Sequence, residues 1–218
     1  MNIYICGDSF STSDPEYGPM WVDLLEQNLP QHNFINLAEP AASNLYISLQ
    51  VDTAITAGAD YIIAAGTTVT RNEVAVADSN QSLIERFRAH ELVAYSILSV
   101  PKHFDFTAQQ EQLLKDYRDE FFDLRLAIYR DECIIENTLE RLVRSTIPFR
   151  FDRGGFEHPK FGAQQKSTYF ADYAEYISRV NLWDYPITTK RRPYYHIIDL
   201  SIHKQVANYY TELILNET

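Results

Sequence analysis

The chain has 218 residues, 30 acidic against 19 basic, a formal net charge of -11 and a hydrophobic fraction of 45%. That length suits one large domain with a sizeable core, and the composition is globular rather than disordered. Bare phosphate backbones repel so acidic a chain, which argues against broad nucleic-acid binding.

Cys6 and Cys133 are far apart, in an apolar strand pattern and an apolar helix pattern. They read as buried reduced thiols, which fits a cytoplasmic protein. No apolar run approaches the length of a membrane span, so no membrane partner is expected. Strand pattern starts at the N-terminus, and no signal peptide is expected.

Ile3 to Cys6 form a short apolar run rich in strand formers that stops at Gly7-Asp8-Ser9. Met20, Trp21, Leu24 and Leu25 recur at helical spacing and predict a helix ending near Pro30. Asn33 to Leu37 is a short strand, followed by a loop, Glu39 to Asn44, where Ser43 or Asn44 can cap the next helix. That helix carries Leu45, Ile47, Leu49, Val51 and Ile55, with Gly58 just past its end. Tyr61 to Ala65 is a continuous apolar run, as in a strand covered on both faces, and Gly66 ends it.

Strand, helix, strand, helix, strand is the alternation that yields a parallel sheet. Three strands thus end in small-residue loops at Ser9, Ala41 and Gly66, and a parallel sheet brings those loops to one edge. Open α/β folds place their ligands there.

Thr67 to Glu73 reads as a polar loop, with Arg71 and Glu73 as a loop ion pair. The middle, about 81–145, reads as helical: Leu83 to Leu98, an amphipathic segment from Thr107 towards Arg130, and a second helix holding Ile134 to Val143. Asp116, Asp119, Glu120 and Asp123 read as the solvated face of the long segment. Ile147 to Phe151 is a further strand. Residues 152–192 form an irregular insertion with a helical patch from Tyr169 to Val180, and Ser201 to Leu215 make a closing helix. The whole chain, 1–218, is read as one domain.

Acyl transfer needs a nucleophile, a base, a group that orients the base, and donors for the oxyanion. Ser9 can be the nucleophile. Its own amide, an amide of the 41–42 loop and a side chain after Gly66 can be the donors. The base should be a histidine near the same edge, and two precede the last helix, His196 and His203, with Asp199 between them. Asp199 and His203 are four apart, which brings them close on a first helical turn.

At these residues the chain resembles the SGNH (GDSL-type) hydrolases. Cys6-Gly-Asp-Ser-Phe-Ser11 is similar to that family's first block, with Ser9 in the nucleophile's place. Asn36 to Asn44 is similar to the second block, with Ala41 where the family has a glycine whose amide feeds the oxyanion hole. Ile63 to Thr68 resembles the third block, with Thr68 in the place of an asparagine donor. Asp199 to His203 resembles the fifth block, although the family spaces its Asp and His three apart.

The resemblance covers the first 75 residues and the last 25 or so. It implies a flavodoxin-like three-layer α/β/α sandwich with a parallel sheet of about five strands. It also implies an esterase or acetylesterase acting on a small ester or acylated carbohydrate, with Ser9, His203 and Asp199 as the triad, His196 as the alternative base, and Ala41 and Thr68 as oxyanion donors. The style of the blocks also resembles SGNH-like proteins of tailed bacteriophages, which would place the chain in the host cytoplasm or the virion.

No Gly-x-Gly-x-x-Gly, Walker lysine or zinc-like Cys/His spacing occurs, so neither cofactor nor metal is expected. Two other classes fit the same residues. One is an inactive binding or structural module with a degenerate pocket. The other is a loop at Gly7 to Ser11 that cradles a phosphate or nucleotide.

Overall fold

The computed structural model describes residues 1–13, 18–75, 81–89, 92–96, 106–157, 169–182 and 199–217. In chain order the elements are β1 (Asn2–Cys6), α1 (Trp21–Asn28), β2 (Asn33–Asn36), α2 (Asn44–Thr56), β3 (Tyr61–Ala65) and β4 (Arg71–Ala75). Then come α3 (Leu83–Arg88), β5 (Leu92–Ser96), α4 (Ala108–Glu120), α5 (Leu124–Ser145), β6 (Phe149–Asp152), α6 (Tyr169–Asp172) and α7 (Leu200–Glu217).

Four strands form one parallel sheet in the order β2-β1-β3-β6. Side chains alternate faces along a strand, and here both faces are covered. Ile3 and Ile5 of β1 join Tyr61, Ile63 and Ala65 of β3 on one face, under Trp21 and Leu25 of α1 and Val206 and Tyr210 of α7. Cys6, Ile62 and Ala64 face the other way, onto Val51 and Ala54 of α2 and Leu139 and Leu142 of α5. Helix α1 packs on α7 and α2 on α5, giving helix, sheet and helix layers. This is the flavodoxin-like architecture expected. Beyond β6 a single parallel bridge, Phe151 to Ile177, adds a minimal fifth position to the sheet.

Two local details follow the sequence closely. Ser43 caps α2, its hydroxyl accepting the Tyr46 amide, and Gly58 leaves the helix with a left-handed φ of 72°. Helix α5 buries Ala127, Asp131, Ile135, Thr138, Leu139 and Leu142, one stripe at helical spacing.

The middle of the chain differs from its sequence reading. Residues 83–98 are not one helix: α3 ends at Arg88, and Leu92–Ser96 pair antiparallel with Arg71–Ala75, in the stretch read as a polar loop. Leu-Val-Ala-Tyr satisfies a strand once a partner strand lies beside it, and that partner is some twenty residues away. The amphipathic segment after Thr107 breaks at Phe121–Asp123, because the Asp123 carboxylate accepts the Arg125 and Leu126 amides and so starts α5 early. Cys133 is exposed, since it lies off the buried stripe of α5. In the insertion the helical patch is only α6, one turn long. Among the described residues no helix is long and apolar enough to cross a membrane.

Candidate active site

The site is the carboxyl edge of the sheet, where the loops after β1, β2 and β3 meet. The first loop is held by its own residues. Asp8 Oδ1 accepts the Phe10 amide at 2.9 Å, an Asx turn, and the Ser11 amide donates to the Asp8 carbonyl at 2.9 Å. The Gly7 amide donates to Gln50 Oε1 of α2 at 2.7 Å, and a side chain on Gly7 would strike Ser11 Oγ at 2.7 Å. Glycine is therefore required there by close approach. Ser9 follows on this clamped turn and is 8% exposed.

The second loop docks on the first. The Glu39 amide donates to the Gly7 carbonyl at 3.2 Å and Asn36 Nδ2 to the Ser11 carbonyl at 2.9 Å. Ala41 sits here, half-buried, with a left-handed φ of 64°. The position therefore has the backbone that favours glycine although it holds alanine.

The third loop is held by buried polar groups. Thr67 Oγ1 donates to Asp8 Oδ2 at 2.8 Å. Asn44, the first residue of α2, clamps the Thr67 backbone: its Oδ1 accepts the Thr67 amide at 2.8 Å and its Nδ2 donates to the Thr67 carbonyl at 3.1 Å. Thr68 is buried, with its Oγ1 3.1 Å from Thr70 Oγ1. Arg71 does not pair with Glu73. Its guanidinium meets Asp8 Oδ2 at 3.1 Å and donates to the Ala42 carbonyl at 2.7 Å, tying all three loops together. Burial pulls the Arg71 guanidinium below its ordinary value, and Asp8 opposes that shift. Glu73 lies 3.7 Å from Arg130 instead.

His203 is buried in the first turn of α7. Its Nδ1 lies 3.0 Å from the Trp21 amide, and Trp21 Nε1 donates to the Phe10 carbonyl at 2.8 Å. Trp21 thus joins the imidazole to the turn that carries Ser9. A backbone amide can only donate, so Nδ1 is an acceptor and the neutral ring holds its proton on Nε2. Asp199 caps α7: its Oδ1 accepts the Ser201 amide at 2.8 Å and its carbonyl accepts the Ile202 and His203 amides. The Ser201 hydrogen bonds hold its carboxyl below the usual range, with a smaller contribution from His203. His196 lies outside the described residues.

No family model matches the chain, and no curated protein matches it. In structure it is similar to the psychrotrophic esterase EstA from Pseudoalteromonas sp., solved inhibited by monoethylphosphonate, with a TM-score of 0.51. The likeness spans 99% of this chain and 97% of that one at 10% identity. The fold is SGNH-like. An identity of 10% carries the fold alone, so the chemistry of the edge rests on this chain's own residues.

Sequence reasoning missed the groups that hold the edge together, Asn44 as a clamp and Asp131 behind it. The signal was present for Asp131, an acid on the apolar stripe of α5, where a carboxylate requires partners. Asp131 Oδ2 accepts from Asn44 Nδ2 at 2.6 Å and Oδ1 accepts from Arg130 Nε at 2.7 Å. Burial pushes its pKa up to about 6, against the opposing pull of Arg130 and Asn44.

Proposed function

We propose that the chain is an SGNH-type serine hydrolase acting on a small ester or acylated carbohydrate. Ser9 Oγ attacks the ester carbonyl, and a histidine takes its proton and returns it to the departing alcohol. The acyl-enzyme is then released by water activated in the same way. The Ser9 and Ala41 amides and the Thr68 hydroxyl hold the oxyanion. One observation carries this reading: Ser9 lies on a clamped, glycine-dependent turn at the carboxyl edge of a fold shared along its length with an esterase.

The base is His203 or His196. For His203 Nε2 to accept the Ser9 proton, the ring must shift its own proton to Nδ1 and release the Trp21 amide. Asp199 would then receive Nδ1–H. The test is hydrolysis of short acyl esters by the wild type and Ser9→Ala. The variant should lose at least about 10³ in kcat; equal rates would overturn the reading.

The Nδ1 contact also favours a second reading, an inactive binding module in which His203 pins α7 to α1. A fluorophosphonate probe separates the two, since it modifies an activated serine and ignores an inert one. Labelling of Ser9 at neutral pH supports the hydrolase, and its absence supports the module.

A further inference from the structure

We infer that Asp131 is a positioning residue for the oxyanion side of the site, acting from α5 through Asn44 on the loop that carries Thr68; this rests on the proposed hydrolase reading.

The argument is one of connected contacts. Asn44 has a single side-chain amide and uses it three ways: Oδ1 on the Thr67 amide, and Nδ2 on both the Thr67 carbonyl and Asp131 Oδ2. An unrestrained asparagine rotates about its last torsion, and an amide turned over would present a donor to the Thr67 N–H and an acceptor to its carbonyl. A carboxylate cannot donate when ionised, so Asp131 specifies that the nitrogen faces it. The oxygen is thereby fixed on Thr67. The 2.6 Å separation is that of a charge-assisted bond in a buried setting.

Asp131 is itself immobilised. Arg130 Nε donates to its Oδ1, while the same guanidinium donates to Asn72 Oδ1 at 2.8 Å and to the Arg71 carbonyl at 3.0 Å. The Arg130–Asp131 pair therefore reads the position of β4 as well. On the far side, Asp8 receives Thr67 Oγ1 and Arg71. Thr67 is gripped from two directions, and Thr68 follows it directly. An oxyanion donor is effective only when held in place before reaction, which makes the support of that loop a kinetic matter as well as a structural one.

The test compares Asp131→Ala and Asp131→Asn with the wild type. It reads ester hydrolysis and, independently, backbone amide exchange over residues 61–70. Asparagine retains an acceptor for Asn44; alanine retains none. The alanine variant should lose on the order of tenfold or more in kcat, with KM changed by about twofold or less. Its Thr67 amide should exchange at least about tenfold faster than in the wild type, while Ile62 and Ile63 keep their protection. The asparagine variant should recover most of both losses. Unchanged exchange at Thr67 would overturn the inference, as would faster exchange spread evenly along β3 or an asparagine variant no better than alanine. If the alanine variant fails to fold, Asn44→Ser breaks the same clamp and must give the same local acceleration. A wild type that hydrolyses no ester removes the proposed activity, and the exchange comparison then decides the positioning alone.

Discussion

Ala41 shows how one residue can conflict with its backbone. Its φ of 64° lies in the left-handed region, which costs a residue with a Cβ about 1–2 kcal/mol. Glycine removes that strain but adds freedom to the unfolded chain, about 0.4–1 kcal/mol in the other direction. Ala41→Gly should therefore stabilise the fold by roughly 0.5–1 kcal/mol, read as a higher denaturant midpoint at unchanged slope. A loss of stability would mean that the alanine methyl contributes packing that outweighs the strain. Asp131 makes a pH-dependent prediction. Its pKa rises from 3.8 to about 6 on folding, so between those values the folded state binds more protons than the unfolded one. The stability it supplies is complete below the unfolded value and is lost as pH rises through about 6, by roughly 3 kcal/mol at most. Asp131→Asn does not titrate. The stability of the wild type relative to this variant should therefore fall between pH 4 and pH 7 in urea unfolding, and a flat difference would contradict the assigned burial. The apolar stripe of α5 marks Asp131 as a carboxylate that requires partners, but which partners, and the backbone of Ala41, are not legible from neighbours in sequence. Ala41 acquires its backbone in a loop docked on the turn after β1, and Asp131 acquires its raised pKa from burial among elements distant in sequence, against the pull of Arg130 and Asn44.

Among the elements, β3 and β6 bring two glycines together, Gly66 directly after β3 and Gly154 two residues beyond β6. A Cβ on Gly154 would lie 1.7 Å from the Gly66 carbonyl oxygen, and Gly154 also has a φ of 55°. The contact is with backbone, which cannot rotate away. Gly154→Ala should cost about 3–5 kcal/mol, among the largest single-residue effects in the chain, and thermal unfolding measures it. A cost below about 1 kcal/mol would show that the two strand ends separate easily. Asp152 supports the same turn, accepting the Gly154 amide at 2.7 Å and the Leu182 amide at 3.0 Å. The sequence marks such glycines as turns but does not say which pair will meet. The antiparallel β4–β5 pair makes the same point. Leu92 to Ser96 carries enough apolar residues for a helix or a strand, and the decision came from Arg71 to Ala75 lying alongside. Elements that depend on local signals were readable in advance. Ser43 capped α2, Gly58 ended it, and β1 and β3 formed where the apolar runs stood.

For the molecule as a whole, the layered architecture follows from two periodicities. Strands apolar on both faces need covering twice, and helices with one apolar stripe supply the cover. The sheet between α1/α7 and α2/α5 is the outcome. Those patterns lie within short windows, and so the sequence by itself determined the α/β class, the parallel strands β1, β2 and β3, and the sheet edge to which the loops after them run. The tertiary structure alone decided what holds that edge: Asn44 clamped to Thr67, Arg71 on Asp8, Asp131 behind Asn44, and His203 Nδ1 on the Trp21 amide. The physical reason is separation along the chain. Asn44 and Asp131 are 87 residues apart and Trp21 and His203 are 182 apart, so their hydrogen bonds exist only after the layers have packed.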